Sequence, residues 1–153
     1  TFIVLLLLYG CPYETERPPS FKISNQSGIS MKITIFNMST KDRVGGDNFP
    51  IENGGCYGSS AFVNNFDVNN INDYAPLDFK GDSAVIVLGN QYLIHKYDQI
   101  NKVFTPDKGN IFRLSSYTQD SPNIYRMELN QEDYENATPC NNALFVENRK
   151  YCC

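Results

Sequence analysis

Tryptophan is absent from this chain of 153 residues, histidine occurs once, and the longest unbroken apolar run is seven residues. Each shortage closes something off. Without Trp, a carbohydrate-stacking platform would have to be built from Tyr and Phe, ten of each, since sugar faces pack on aromatic rings. With His95 as the sole imidazole, a histidine-rich metal cluster is excluded. No Ser or Cys lies at a hydrolase-family spacing from His95, so a nucleophile–base pair is not legible. The apolar run Phe2 to Leu8 falls well short of the roughly 20 residues that a membrane-spanning helix needs. Basic residues are sparse as well: 13 Lys and Arg are scattered along the chain against 17 Asp and Glu, for a net charge of −4. That balance lacks the basic stripe of a nucleic-acid-binding surface and the polybasic patch that seeks anionic lipid.

What is present is aromatic, Asn-rich and punctuated by turns. Hydrophobic residues make up 41% of the chain, enough for one core. The strongest local signal is SAVIVLGNQYLIHKY, Ser83 to Tyr97. Two apolar runs flank Gly89-Asn90, a dipeptide whose members both tolerate positive φ and suit a two-residue hairpin turn. That turn sets Leu88 opposite Gln91, Val87 opposite Tyr92, Ile86 opposite Leu93 and Val85 opposite Ile94. Alternation puts Val85, Val87, Tyr92 and Ile94 on one face, with Ala84, Ile86, Leu88, Leu93 and His95 on the other. Both faces are apolar, so the ribbon belongs at the centre of a sheet covered on both sides.

Further strands are expected at Phe21 to Ser24, Met31 to Phe36, Phe49 to Glu52, Cys56 to Val63, Ile111 to Leu114 and Ile124 to Leu129. Asn37 to Asn48 and Asp98 to Asn110 read as loops, the second with Val103 and Phe104 as anchors. Asn130 to Ala137 reads as a short helix, N-capped by Asn130, with Glu132 and Asp133 at the positive end of its dipole and Pro139 as its stop. Short strands with turn signals between them give an all-β class. The expectation is a β-sandwich of short antiparallel strands with one short helix near 130–137.

The first nineteen residues have a separate logic. FIVLLLL has the length of the apolar core of a secretory signal, and no charged segment or initiating Met precedes it, as expected of a sequence that begins within such a signal. Leu8-Tyr9-Gly10-Cys11 resembles a bacterial lipobox, with an aliphatic residue at −3, a small residue at −1 and the Cys to be acylated; Tyr9 departs from the usual −2 residue. On this reading residues 1–10 are a signal peptide, Cys11 is the lipidation site, and acyl chains attach the protein to a membrane. Pro12 to Pro19, rich in Pro and charge, is a semi-rigid tether of roughly 3 Å per residue, and residues 20–153 form a single β-rich domain. The acidic pair Glu14 and Glu16 resembles the surface-export signal of Bacteroidota lipoproteins. The order DSAVIVL, hairpin, NIFRLSSY, IYRMELNQEDYENA likewise resembles small lipoproteins of unknown function from that group. The resemblance implies an exported, outer-membrane lipoprotein on the cell surface or the periplasmic face. It lends no catalytic residue.

Few side-chain constellations carry chemistry. With Cys11 acylated, Cys56, Cys140, Cys152 and Cys153 remain, and four thiols in an exported chain suggest disulfides in one of three connectivities. Cys140 with Cys152 or Cys153 is the nearest pairing in sequence. No CxxC spacing supports zinc. Asp67 to Asp73 offers oxygen donors but lacks the Gly and Glu positions of an EF-hand loop. No metal site and no cofactor are therefore expected. Asn25, Asn37 and Asn136 begin N-x-[ST] triplets, read as products of high Asn content. Asp82-Ser83-Ala84 resembles the Bacteroidota O-glycosylation motif, which makes Ser83 a candidate for modification. His95, opposite Ala84, points to a packed face and a structural role.

Three functions compete. One is a non-catalytic, lipid-anchored envelope protein that binds a protein partner or joins a surface assembly. Another is a glycan-binding module. The third is a hydrolase whose carboxylates are brought together only by the fold.

Overall fold

The computed structural model describes residues 19–47, 49–60, 73–75, 81–140, 145–146 and 149–150. The signal-like run, Cys11, residues 12–18, Asp67 to Asn72, Cys152 and Cys153 lie outside the described residues.

The fold is all-β with one short helix. A four-stranded sheet contains β1 (Ser20–Gln26), β4 (Cys56–Ser60), β8 (Thr118–Ser121) and β9 (Ile124–Asn130) in the order β4-β1-β9-β8. A second sheet contains β2 (Met31–Phe36), β3 (Arg43–Gly46), β5 (Ser83–Leu88), β6 (Gln91–Asp98), β7 (Val103–Thr105) and β10 (Thr138–Pro139). Its order is β10-β6-β5-β2-β3, with β7 also on β6. A small ribbon pairs β11 (Phe145–Val146) with β12 (Arg149–Lys150).

The two main sheets share one core. Phe21, Ile23, Tyr57, Met127 and Leu129 come from the first; Met31, Ile33, Ile35, Ala84, Ile86, Leu88, Tyr97 and Phe104 come from the second. Their spacing is the period of two that a strand requires. Gly46 N–H donates to the Tyr57 hydroxyl at 3.2 Å, tying mid-strand levels of the two sheets together.

The β5–β6 hairpin has the expected register, from Leu88 opposite Gln91 through Val85 opposite Ile94 to Ala84 opposite His95. Its turn differs in detail. Gly89 takes φ +56° while Asn90 does not take positive φ; a Gly alone in that conformation at the first turn position suits the tight hairpin turn. β5 is central, between β2 and β6. Val87 is only half-buried, as are Tyr92, Leu93 and Ile94, so cover on both faces holds for most of β5 and not for β6.

Several expectations are corrected. β1 and β9 run parallel, with Ser20 beside Ile124 and Gln26 beside Asn130, so the sandwich is not wholly antiparallel. The expected loops contain β3 and β7. Ile111 to Leu114 is not a strand: Asn110 Oδ1 accepts from Phe112 N–H at 2.9 Å, and this Asx turn bends the chain into a 3-10 turn at Leu114–Ser116. Phe49 to Glu52 contributes a single bridge, Met31 to Ile51. The helix is shorter than expected, Gln131–Glu135, and Asn130 caps it reciprocally with Asp133. Pro139 does not stop it but lies in β10. Pro19, assigned to the tether, is buried at the entrance to β1. No described helix is long and apolar enough to cross a membrane.

Candidate functional site

His95 is 2% exposed. Its Nδ1 accepts from Ile111 N–H at 3.1 Å, which leaves Nε2 to carry the proton. Burial pulls its pKa from 6.5 down to about 4, because the charged form is poorly solvated there. The imidazole is thus a neutral brace between β6 and the 110–116 segment. A catalytic base needs to reach its substrate's proton, and this one does not face solvent.

Next to that brace stands an aromatic column. Phe104 stacks on Tyr97 at 4.6 Å between ring centroids, and Tyr97 on Tyr74 at 4.7 Å. Phe112 follows Tyr74 at 6.5 Å. The Tyr74 hydroxyl donates to Gly81 C=O at 2.7 Å, and burial pushes its pKa upward. The Arg113 guanidinium lies 5.6 Å from the Phe104 centroid, close enough for a cation–π contact.

Arg113 also holds two carboxylates. Its Nε is 2.5 Å from Asp73 Oδ2, and a terminal nitrogen is 2.8 Å from Asp107 Oδ1. Asp73 accepts in addition from Ser115, at 2.6 Å from the backbone and 2.8 Å from the hydroxyl. Burial alone would raise the Asp73 carboxyl, but hydrogen bonds from Arg113 and Ser115 outweigh it and hold it below its ordinary value. These two acids meet at the guanidinium that lies over the Phe104 ring, so they bear directly on the hydrolase reading. A glycosidase needs one carboxyl kept protonated near neutral pH. Asp73 is driven the other way, and both acids face one cation. Burial does push the Asp133 carboxyl up, but that group accepts from Asn130 N–H at 2.8 Å in the helix cap.

A different feature gathers at one end of the six-stranded sheet. Asp82 is buried, and its Oδ1 accepts from Met38 N–H at 2.8 Å. Its own N–H donates to Phe36 C=O at 3.0 Å, and its C=O accepts from Tyr97 N–H at 2.7 Å. One residue therefore pins the β2–β3 loop beside the end of β6. The β6–β7 turn is held by Asp98, whose carboxylate accepts from Ile100 N–H at 2.9 Å, Asn101 N–H at 3.0 Å and Asn101 Nδ2 at 2.6 Å. The Asn101 donors and Ile100 N–H hold the Asp98 carboxyl below its ordinary value. Three large apolar side chains stand at this end: Ile100 on the β6–β7 turn at 91% exposure, Val103 at the start of β7 at 52% and Met38 on the β2–β3 loop at 41%. Sequence reasoning missed this cluster. Val103 reads as an anchor by composition, and nothing local says that Met38 and Ile100 share one end of the sheet.

The remaining candidates separate. Ser83 is 1% exposed in β5, so a modifying enzyme would have to reach its hydroxyl before the sheet forms. Cys56 is corrected: it is a free, exposed thiol on β4, not a disulfide partner. Cys140 is disulfide-bonded; with Cys56 free, its partner lies outside the described residues. Asn25 is fully buried and its Nδ2 donates to Ile29 C=O and Ile51 C=O, so the first N-x-S triplet is a core device. Among the described residues no group of three His, Cys, Asp or Glu is arranged to hold a metal. No protein-family model, curated protein or solved structure matches the chain.

Proposed function

We propose that the protein is a non-catalytic, lipid-anchored component of a bacterial cell envelope whose role is to bind a protein partner or to take part in surface assembly. Anchoring rests on FIVLLLLYGC and acylation of Cys11. The binding role is carried by the state of His95: the sole imidazole is buried, neutral and occupied by Ile111 N–H, a bracing rather than a reacting arrangement. The Asp73–Arg113–Asp107 node supports the same reading, since one guanidinium holds both carboxylates and the Asp73 carboxyl is kept below its ordinary value, away from the protonated state a general acid needs. A protein partner is preferred to a glycan because none of the described tyrosines is exposed and Phe49, at 80% exposure, is a single ring rather than a platform among the described residues, whereas sugar binding without Trp requires an open surface of Tyr or Phe rings.

Metabolic labelling with an alkyne fatty acid tests the anchor: wild-type protein should be labelled and Cys11→Ser should not. Equal labelling of both would end that part of the reading. For binding, photo-crosslinking in intact cells from several exposed positions should yield one recurrent protein adduct. A glycan array that gives saturable binding, with no protein adduct, would shift the assignment to the glycan module.

A further inference from the structure

We infer that Met38, Ile100 and Val103 form a seat through which the end of the sandwich nearest the tether rests on a lipid surface. The topology carries the inference. β1 starts at Ser20 and ends at Gln26, and β2 starts again at Met31 after a short turn. Asn25 ties that turn together through Ile29 C=O, at 2.7 Å. The start of β1 and the end of β2 therefore lie at the same end of the two packed sheets. β5 is antiparallel to β2, with Phe36 beside Ser83, and β6 is antiparallel to β5, with Ser83 beside Lys96. The β2–β3 loop and the β6–β7 turn thus protrude at the end where Ser20 begins the fold. The β8–β9 turn marks that end too, since Ser20 N–H donates to Asn123 C=O at 2.7 Å.

This placement says what would cover the apolar cluster. Cys11 and Pro19 are eight peptide steps apart (19 − 11), at most about 28 Å when fully extended. A chain acylated at Cys11 cannot stray farther than that from the bilayer, and Pro19 leads in at the end that carries Met38, Ile100 and Val103. Each protruding loop is close to charge-neutral, with Lys41 beside Asp42 in one and Lys102 near Asp98 in the other. The seat therefore acts by burying apolar area rather than by attracting anionic headgroups, in keeping with a net charge of −4. Asp82 and Asp98 hold the two loops by hydrogen bonds, so less ordering is required on contact.

The inference rests on the lipid-anchored reading, and its test separates the two. The chain has no Trp, so a single introduced indole is a background-free reporter. Full-length Ile100→Trp and Glu132→Trp proteins, the second reporting from the helix at the opposite end, are extracted from membranes. Both are reconstituted into phosphatidylcholine vesicles with and without brominated acyl chains. The expected result is that both proteins float with the vesicles while brominated lipid quenches Ile100→Trp alone. Flotation with no quenching at Ile100→Trp would overturn the seat and leave the anchor standing. Failure to float, with no acyl group at Cys11 by mass spectrometry, would overturn both. A blue shift of Ile100→Trp that grows with protein concentration in lipid-free detergent and ignores vesicles would give the patch to a second copy of the chain instead.

Discussion

Strands β5 and β6 are hairpin partners of similar apolar character, yet their burial differs. On their shared outward face Val85 is fully buried, while its cross-strand neighbour Ile94 is half-buried. The difference follows from neighbours. β5 is flanked along its length by β2 and β6. β6 has β5 on one side, and on the other only short strands at its ends: β10 against Gln91 and Tyr92, β7 against Lys96 to Asp98. Among the described residues, Leu93 to His95 therefore form a gap in the outer edge. A strand's sequence states how apolar it is; its place in the sheet decides how much of that is used.

The sharpest way to break the comparison is a charge at matched positions. Val85→Asp should cost about 4 kcal/mol or prevent folding, because the carboxylate has neither water nor a partner. Ile94→Asp should cost about 1–2 kcal/mol, since that side chain keeps access to solvent. Urea titration measures both, and equal midpoints would remove the distinction between the two strands.

A second test uses the inward face of β6. The folded pKa of His95 lies below its unfolded value, about 4 against 6.5. Above pH 6.5 the imidazole is neutral in both states and adds no pH dependence. As pH falls toward 4 the unfolded chain takes up a proton that the folded chain refuses, so stability is lost across that window, by roughly 3 kcal/mol at most. Denaturation at pH 7 and pH 4.5 should show the loss, and His95→Gln should flatten that part of the curve.

The turn that joins the strands should respond less. Gly89 takes φ +56°, and an added Cβ would lie 3.1 Å from Ile29 Cδ1. Gly89→Ala should cost about 1–2 kcal/mol through left-handed strain. A melting temperature equal to wild type would mean that the turn relaxes.

The smallest effect is expected beyond β6. Asn101 is in a loop, but its Nδ2 donates to Asp98. Asn101→Asp replaces that donor with a like charge, and should lower the melting temperature in a way that added salt reduces. Lys108→Gln, at an exposed position of the next loop, should be silent. The β6–β7 turn also carries part of the proposed lipid seat, so Asn101→Asp measures how firmly the Asp98 pin holds it as well.

Local rules account for what could be read from sequence alone. The Gly89 turn with its alternating flanks set the β5–β6 register because side-chain period and loop length leave one consistent pairing. Asn130 as N-cap, with Glu132 and Asp133 in the first turn, set the start of the helix, since cap and dipole act within a few residues; that Asp133 caps reciprocally is seen only in the structure. The inward alternation of Lys32 to Phe36 marked β2, and the position of His95 opposite Ala84 told that it faced the core. Tertiary structure decided the rest. The parallel β1–β9 pair joins segments about a hundred residues apart, and no local pattern encodes which distant strand will lie alongside. Asp73 is paired with Arg113 across 40 residues, and Asp82 with Met38 across 44; each reads in sequence as an ordinary loop acid. The gathering of Met38, Ile100 and Val103 at the end where Ser20 enters the fold depends on strand direction in two sheets at once. That is a property of the assembled sandwich, where the exposure of an apolar residue is fixed by what lies beside it in space rather than along the chain.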